Sequence, residues 1–455
     1  MYFKSFFDEK LAHMSYLIGC QKTGEALVID PARDVAPYQA AAKKEGLTIS
    51  AAAETHIHAD YLSGIRELAR SGGVKLYVSD EGDQDWKYQY LNDYEHELLK
   101  DGSAFYIGNV KFDVLHTPGH TPESVSFLLT DEGGGADEPM GIFTGDFLFV
   151  GDVGRPDLLE KAAGAKGTSE TGAIDMFRSL KKLKDLPDHL QVWPAHGAGS
   201  ACGKSLGAVP VSTLGYERKF NWALRITDEK EFVHELLTGQ PEPPTYFAQM
   251  KKLNKEGPPL LTRDEIPRKH APAEGAVIVD ARDASRFSDG HLKGTLNIPY
   301  NRSFPNWAGW LLDYKRDIFL IAEEDRIGEI RKALASIGLD QVKGYMDPED
   351  LPGHLETYKS ISVEKANELM TDDRYYVVDV RNQNEWEEGH IREAHHHMLG
   401  HLDEADLPQD KTLIIHCQSG ARSAIGASLL QAMGHDVLNV EGGFSAWKGA
   451  GNPVE

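Results

Sequence analysis

The chain has 455 residues, 48 of them basic and 71 acidic, for a formal charge of −23. Hydrophobic residues make up 41% and the mean hydropathy is −0.42, so the chain supports real cores, in roughly three domains by length. Its acidity disfavours nonspecific nucleic-acid binding. Three cysteines, Cys20, Cys202 and Cys417, make no disulfide framework and suit a reducing compartment. Met1–Lys10 lacks the apolar core of a signal peptide, and no stretch approaches the length of a membrane span. A cytoplasmic protein is expected, a homo-oligomer with neither a nucleic-acid nor a membrane partner.

Alternation in Ser15–Ile18 and Leu27–Ile29 predicts opening strands, with Thr23-Gly24 turning between them. Val35–Glu45 reads as a helix, and the strand around Thr48–Ala53 runs into His56-Ile57-His58-Ala59-Asp60-Tyr61. Lys111–Leu115 is strand-like and delivers His120 in Thr-Pro-Gly-His-Thr. Gly141–Thr144 ends at Asp146, and Gln191–Trp193 ends at His196 in Trp-Pro-Ala-His-Gly. Imidazole and carboxylate at strand ends, on loops held by a rigid sheet, are what a catalytic zinc or iron requires. His116 is expected to brace the His120 loop, and Gly133-Gly134-Gly135 to form a surface turn.

The segment from 236 to 265 holds Pro241-Glu242-Pro243-Pro244 and Gly257-Pro258-Pro259, which predict an extended connection between domains. Beyond it lies an internal repeat. Val277–Arg282 is echoed by Tyr376–Arg381, Phe287 by Trp386, and Gly290-His291-Leu292 by Gly389-His390-Ile391. Each copy alternates strand and helix, the pattern of a small parallel α/β domain. The copies differ where the second strand ends. Ile318–Ile321 leads to Ala322, whereas Leu413–His416 leads to Cys417.

Cys417-Gln418-Ser419-Gly420-Ala421-Arg422-Ser423 joins that strand to the helix-like run Ala424–Met433. A thiol there faces backbone N–H groups and a helix N-terminus, which favour thiolate. Gly420 permits a tight loop, and Arg422 is placed to help hold an anionic sulfur. A cysteine phosphatase is the competitor, but its loop sets the arginine six positions after the cysteine. Here it is five, a smaller bowl suited to sulfur transfer. Ala322 leaves the first copy without a nucleophile and in a structural or docking role.

Asp379-Val380-Arg381, Glu385-Trp386-Glu387-Glu388-Gly389-His390-Ile391, the Cys417 loop and Glu441–Trp447 resemble the rhodanese family. The resemblance implies that Cys417 carries a persulfide, with Gln418, Ser419, Gly420 and Arg422 around it. Residues 1–235 resemble the metallo-β-lactamase fold, an αββα sandwich. Two classes within that superfamily compete. Glyoxalase II-type hydrolases hold two metals through H-x-H-x-D-H and further ligands. Persulfide dioxygenases bind one Fe(II) through two histidines and one aspartate, with O2 as co-substrate. The second resemblance implies His56, His120 and Asp146 as iron ligands, with His58, Asp60 and His196 supporting them or vestigial. Tyr61 stands where the two-metal motif has histidine, which favours one metal.

The segment Gly145–Val150 leading to Gly154-Arg155-Pro156-Asp157-Leu158 also resembles persulfide dioxygenases, with Arg155 read as a holder of an anionic substrate tail or as an ordinary ion pair. Cys202 is either a second sulfur carrier near the metal, its thiolate favoured by Lys204, or a plain loop residue. Cys20 is expected to pack, and His395-His396-His397 to be a solvated or interdomain loop. The whole chain resembles fusions of a persulfide dioxygenase (1–240) to tandem rhodanese domains, one degenerate (262–358) and one active (360–455). That implies low-molecular-weight thiol persulfide as substrate and sulfite and thiosulfate as products. The alternatives are a two-zinc thioester hydrolase fused to rhodanese and a noncatalytic sulfur carrier.

Overall fold

Strand β2 (His13–Cys20) is buried along its whole length, which requires cover on both faces. Met14, Tyr16 and Ile18 point into a core shared with Phe112, Val114, Phe127, Phe143 and Trp193. Leu17 points the other way, among Ala41, Ala42, Ile65 and Leu68 of two helices. This period of two, apolar on both sides, is the signature of a strand inside a layered sandwich. The computed structural model describes residues 1–70, 72–163, 167–204, 206–262 and 264–455.

Two six-stranded mixed sheets form the sandwich. The first runs in chain order through β1 (Tyr2–Asp8), β2, β3 (Glu25–Ile29), β4 (Thr48–Ala53), β5 (Lys75–Ser79) and β6 (His96–Leu99). The second holds β7 (Ala104–Ile107), β8 (Val110–His116), β9 (Val125–Thr130), β10 (Gly141–Gly145), β11 (Gln191–Pro194) and β12 (Ser212–Thr213), again neighbours in sequence order. Met176, Phe177 and Leu180 of the helix Thr168–Lys182 cover the outer face of the second sheet, with Phe232 and Leu236 of Glu229–Leu237. The expected αββα sandwich is present, with its strands where the alternation places them.

These residues belong to a compact unit, Met1–Thr262 with Ala335–Gly338; the rest of the described chain through Glu455 forms a second. The segment 236–265 departs from the extended connection its prolines predict. It contains the helix Phe247–Glu256, on which Phe247, Met250 and Asn254 are buried. Helical spacing of those three residues outweighs the flanking prolines, which stop the helix without preventing it.

The second unit carries two parallel sheets. One has the order β14 (Leu296–Asn297), β13 (Val277–Asp280), β15 (Ile318–Ile321), β16 (Val342–Met346). The other is β17 (Lys359–Ile361), β21 (Val437–Val440), β20 (Thr412–His416), β18 (Tyr375–Asp379), β19 (Ala394–His396). Read from opposite ends they share one topology, with β17 added to the second. The repeat extends to hydrogen bonds. Arg282 grips Asp280 and donates to the Gly290 carbonyl, as Arg381 grips Asp379 and donates to that of Gly389. His291 stacks on Phe287 at 3.8 Å and His390 on Trp386 at 3.6 Å. Among the described residues no helix is long and apolar enough to cross a membrane.

Candidate metal centre and sulfur site

His56, His120, Asp146 and His196 follow β4, β8, β10 and β11, so the two sheets bring together at one rim residues that are far apart in sequence. Gly145 makes the approach possible. Its φ is +53°, and a Cβ there would lie 2.4 Å from the Thr55 hydroxyl. All four site residues are buried.

The imidazoles are oriented by their back nitrogens. Thr55 donates its hydroxyl to Asp30 Oδ2 at 2.9 Å, which leaves it to accept from His56 Nδ1 at 3.0 Å. The Arg155 carbonyl, which only accepts, takes the His120 Nδ1 proton at 3.0 Å. Both rings therefore present an Nε2 lone pair, the arrangement a metal-binding histidine needs. These Nε2 atoms lie 3.8 and 3.4 Å from Asp146 Oδ2. His56 Nε2 and Asp146 Oδ2 have no hydrogen-bond partner although buried. Burial, together with neighbouring histidines, lowers the pKa of His56 and His120 and keeps both neutral. Two neutral imidazoles and a carboxylate, with ligand atoms all within 4.8 Å of one another, fit one divalent cation.

The other polar residues are committed elsewhere. His58 sits 3.2 Å from Asp30; burial opposes its charge, but Asp30 raises its pKa to about 9. Tyr61 lies between the rings of His13 and His58, at 4.0 and 4.6 Å, and donates its hydroxyl to the Asp30 carbonyl at 3.3 Å. His196 bridges Asp146 Oδ1 and Asp60 Oδ2, each at 2.7 Å. Burial again opposes its charge, and the two carboxylates overcome it, holding His196 protonated. Burial likewise works against the Asp146 charge, and His196 is the chief group that keeps it well below the carboxylate range.

Cys202 is brought to this site, grouped with Asp60 and His196 within 4.8 Å. Burial first, then Asp146 and Asp60, push its thiol well up. Lys204 does not reach it, since its Nζ donates to the Thr238 carbonyl at 3.0 Å. Arg155 is not placed to meet a substrate. Its side chain is fully buried, with Nε and Nη2 on Asp157 at 2.7 Å and Nη2 on the Pro241 carbonyl at 2.6 Å. Its backbone serves the site, as the Arg155 N–H donates to the Cys202 carbonyl at 3.1 Å. His116 braces its loop through the Pro122 carbonyl at 2.8 Å.

Three supports carry no motif in the sequence. Asp30 also takes the Thr55 N–H at 2.7 Å, Glu123 takes that of Ile57 at 2.7 Å, and Asn254 donates to the carbonyls of His58 and Tyr61, both at 2.7 Å. Asp30 follows β3 as Asp146 follows β10, so the strand-end rule is the signal that finds it.

In the second unit the Gly420 N–H points at Cys417 Sγ from 3.1 Å and the Ser423 hydroxyl from 3.6 Å. The loop is tied down behind, where Phe444 N–H meets the Cys417 carbonyl at 2.7 Å. Gly443 permits this, since a Cβ there would lie 2.3 Å from that oxygen. Gln418 bonds Ser445 at 2.9 Å and Ser419 is exposed. Arg422 does not stand free to hold an anion. Glu385 takes both of its terminal nitrogens, at 2.5 and 2.6 Å.

A sandwich with metal-binding side chains at its rim defines the metallo-β-lactamase superfamily, and this chain belongs to it. The family model described as metallo-beta-lactamase superfamily matches residues 9–196, and that described as rhodanese-like domain matches 362–450. Within the superfamily its homologues include persulfide dioxygenases. The persulfide dioxygenase ETHE1 of Homo sapiens is 30% identical over 50% of this chain and 78% of its own length. A hydroxyacylglutathione hydrolase of Synechococcus sp. is 30% identical over 38% of this chain and 60% of its own. A crystal structure described as a metallo-beta-lactamase from Staphylococcus aureus subsp. aureus COL shares 48% identity, with 76% of this chain and 99% of that one covered and a TM-score of 0.71.

Proposed function

We propose that this protein oxidises low-molecular-weight thiol persulfides with O2 to sulfite and thiol at one Fe(II), and that Cys417 then converts sulfite to thiosulfate. The observation that carries the reading is the division of the buried groups. His56 and Asp146 turn unpartnered atoms toward a point that His120 shares within 4.8 Å, whereas His58, Tyr61 and His196 each commit a polar atom to Asp30, Asp60 or Asp146. The human relative named as a persulfide dioxygenase supports the substrate class.

A ferrous ion held by the three ligands supplies the one-electron chemistry by which dioxygen reacts. The chain's own part is to fix the tautomers through Thr55 and Arg155, to orient Asp146 through protonated His196, and to exclude water by burial. The overall reaction consumes persulfide anion, O2 and water and yields thiolate, sulfite and two protons. At Cys417 the sulfur–sulfur bond of a cysteine persulfide breaks as sulfite takes the outer sulfur. That leaves thiolate and thiosulfate with no net redox change. Cys202, beside Asp60 and His196, is the candidate to pass sulfur to or from the metal centre. Three free cysteines fit a cytoplasmic setting.

Oxygen uptake with glutathione persulfide, by anaerobically prepared protein of known metal content, tests the reading. One iron per chain and one O2 per persulfide are expected; iron-loaded protein that consumes no oxygen sinks it. One observation favours a two-metal thioester hydrolase, the convergence of Asp60, His196 and Cys202. Two metals per chain with thioester cleavage in the absence of oxygen would establish that alternative.

A further inference from the structure

The helix Ala421–Ala432, which carries the end of the sulfur loop, is buried on nearly every side: Ser423 through Ser428 and Leu430 are all buried. Its own sheet covers one face. The first repeat covers another, where Ser428 Oγ accepts the Asn297 N–H at 2.9 Å. Nearby, Trp310 lies against Gly400, where a Cβ would come within 2.4 Å of the indole. The repeat without a cysteine is therefore seated on the helix that follows the cysteine.

Where the two repeats part, beside that seat, they leave a cleft of about 500 Å³. One wall is the first turn of the helix, with Arg422 and Ile425; the other is the first repeat, with Asn301, Ser303, Asn306 and Trp307. The volume lies within the range of small-molecule pockets, roughly 300–1,000 Å³, and far exceeds what sulfite or thiosulfate fills. Two amides, a hydroxyl and a half-buried indole pair with peptide amides and methylenes rather than with a compact dianion. Arg422, the one cation among the described residues of the wall, is already neutralised by Glu385.

We propose that the first repeat supplies the carrier pocket of the second: a peptide-like, low-molecular-weight thiol lies on Asn301, Ser303, Asn306 and Trp307 and exchanges sulfane sulfur with Cys417. The thiolate of the carrier attacks the outer sulfur of the Cys417 persulfide. One sulfur–sulfur bond forms as another breaks, the Cys417 thiolate leaves, and no redox partner is needed. This rests on the sulfurtransferase half of the proposed function, and gives the degenerate copy a task that needs no nucleophile.

The test uses the full chain, with thiosulfate as donor and either glutathione or cyanide as acceptor. Trp307→Ala and Asn306→Ala should each raise the KM for glutathione tenfold or more and leave cyanide turnover within twofold, because cyanide needs only the sulfur. Unchanged glutathione KM, or equal losses with both acceptors, overturns the pocket. Wild-type protein that transfers sulfur to neither acceptor overturns the sulfurtransferase reading itself, and the pocket with it.

Discussion

Glu385 holds Arg422 by both terminal nitrogens, and the first repeat makes an ion pair of opposite polarity from the same helix position to a different residue of its loop. Arg286, at the position of Glu385, reaches Glu323, which follows Ala322 as Gln418 follows Cys417. The helix-to-loop tie thus survives where the chemistry does not. In the active copy it subtracts one positive charge from the sulfur loop. Glu385→Gln restores that charge and should lower the KM for thiosulfate roughly three- to tenfold, the scale of one partly screened charge, while the KM for cyanide stays put. A thiosulfate KM that is unchanged or higher would show that Glu385 only positions the loop.

Thr55 is the test of how the metal ligands are oriented. Its hydroxyl is the acceptor for His56 Nδ1 and the donor to Asp30. Thr55→Val keeps the shape and removes both bonds. Loss of such a support costs about 10- to 100-fold in metal affinity, measurable by competition with a chromophoric chelator. Sulfur transfer by Cys417, in the other unit, should not change. Undiminished affinity would mean that packing alone sets the ring.

Much of this centre was legible because a strand end presents a ligand in a short recognisable string: His56, His120, Asp146 and Cys417 all lie there. The supports were not, because Thr55, Glu123 and Asn254 act through hydrogen bonds to partners set by tertiary structure, with no fixed spacing. Arg155 shows a different limit. A cation after a metal loop suggests a ligand for an anion, and only the fold reveals that Asp157 and two carbonyls consume it. The helix Phe247–Glu256 was hidden by the prolines around it, although its apolar residues kept helical spacing.

Arg155 gives a prediction that separates the two roles. Removing one partner of a buried ion pair costs about 3–5 kcal/mol, and here it also loosens the carbonyl that fixes His120. Arg155→Met should destabilise the first unit by that order in guanidinium unfolding and reduce bound metal. An arginine that held a substrate tail would instead raise KM with metal content and stability intact.

Glu123 makes the folded state sensitive to pH. Burial pushes its carboxyl up to about 7; the Ile57 N–H, and more weakly Lys251, itself lowered to about 8 by burial, offset this only in part. The folded-state value is raised above the ordinary 4.5. The associated stability is therefore complete below about pH 4.5 and is lost as pH rises through about 7. A shift of this size corresponds to on the order of 3 kcal/mol. Glu123→Gln keeps an oxygen to accept the Ile57 N–H and removes the titration. In chelator-treated protein the variant should gain stability over wild type between pH 4.5 and 7 and keep that lead at pH 8. Glu54, which burial also raises to about 7, is present in both proteins and cancels. A difference between variant and wild type that is the same at pH 4.5 and pH 8 would mean that Glu123 meets water or a cation in the folded state.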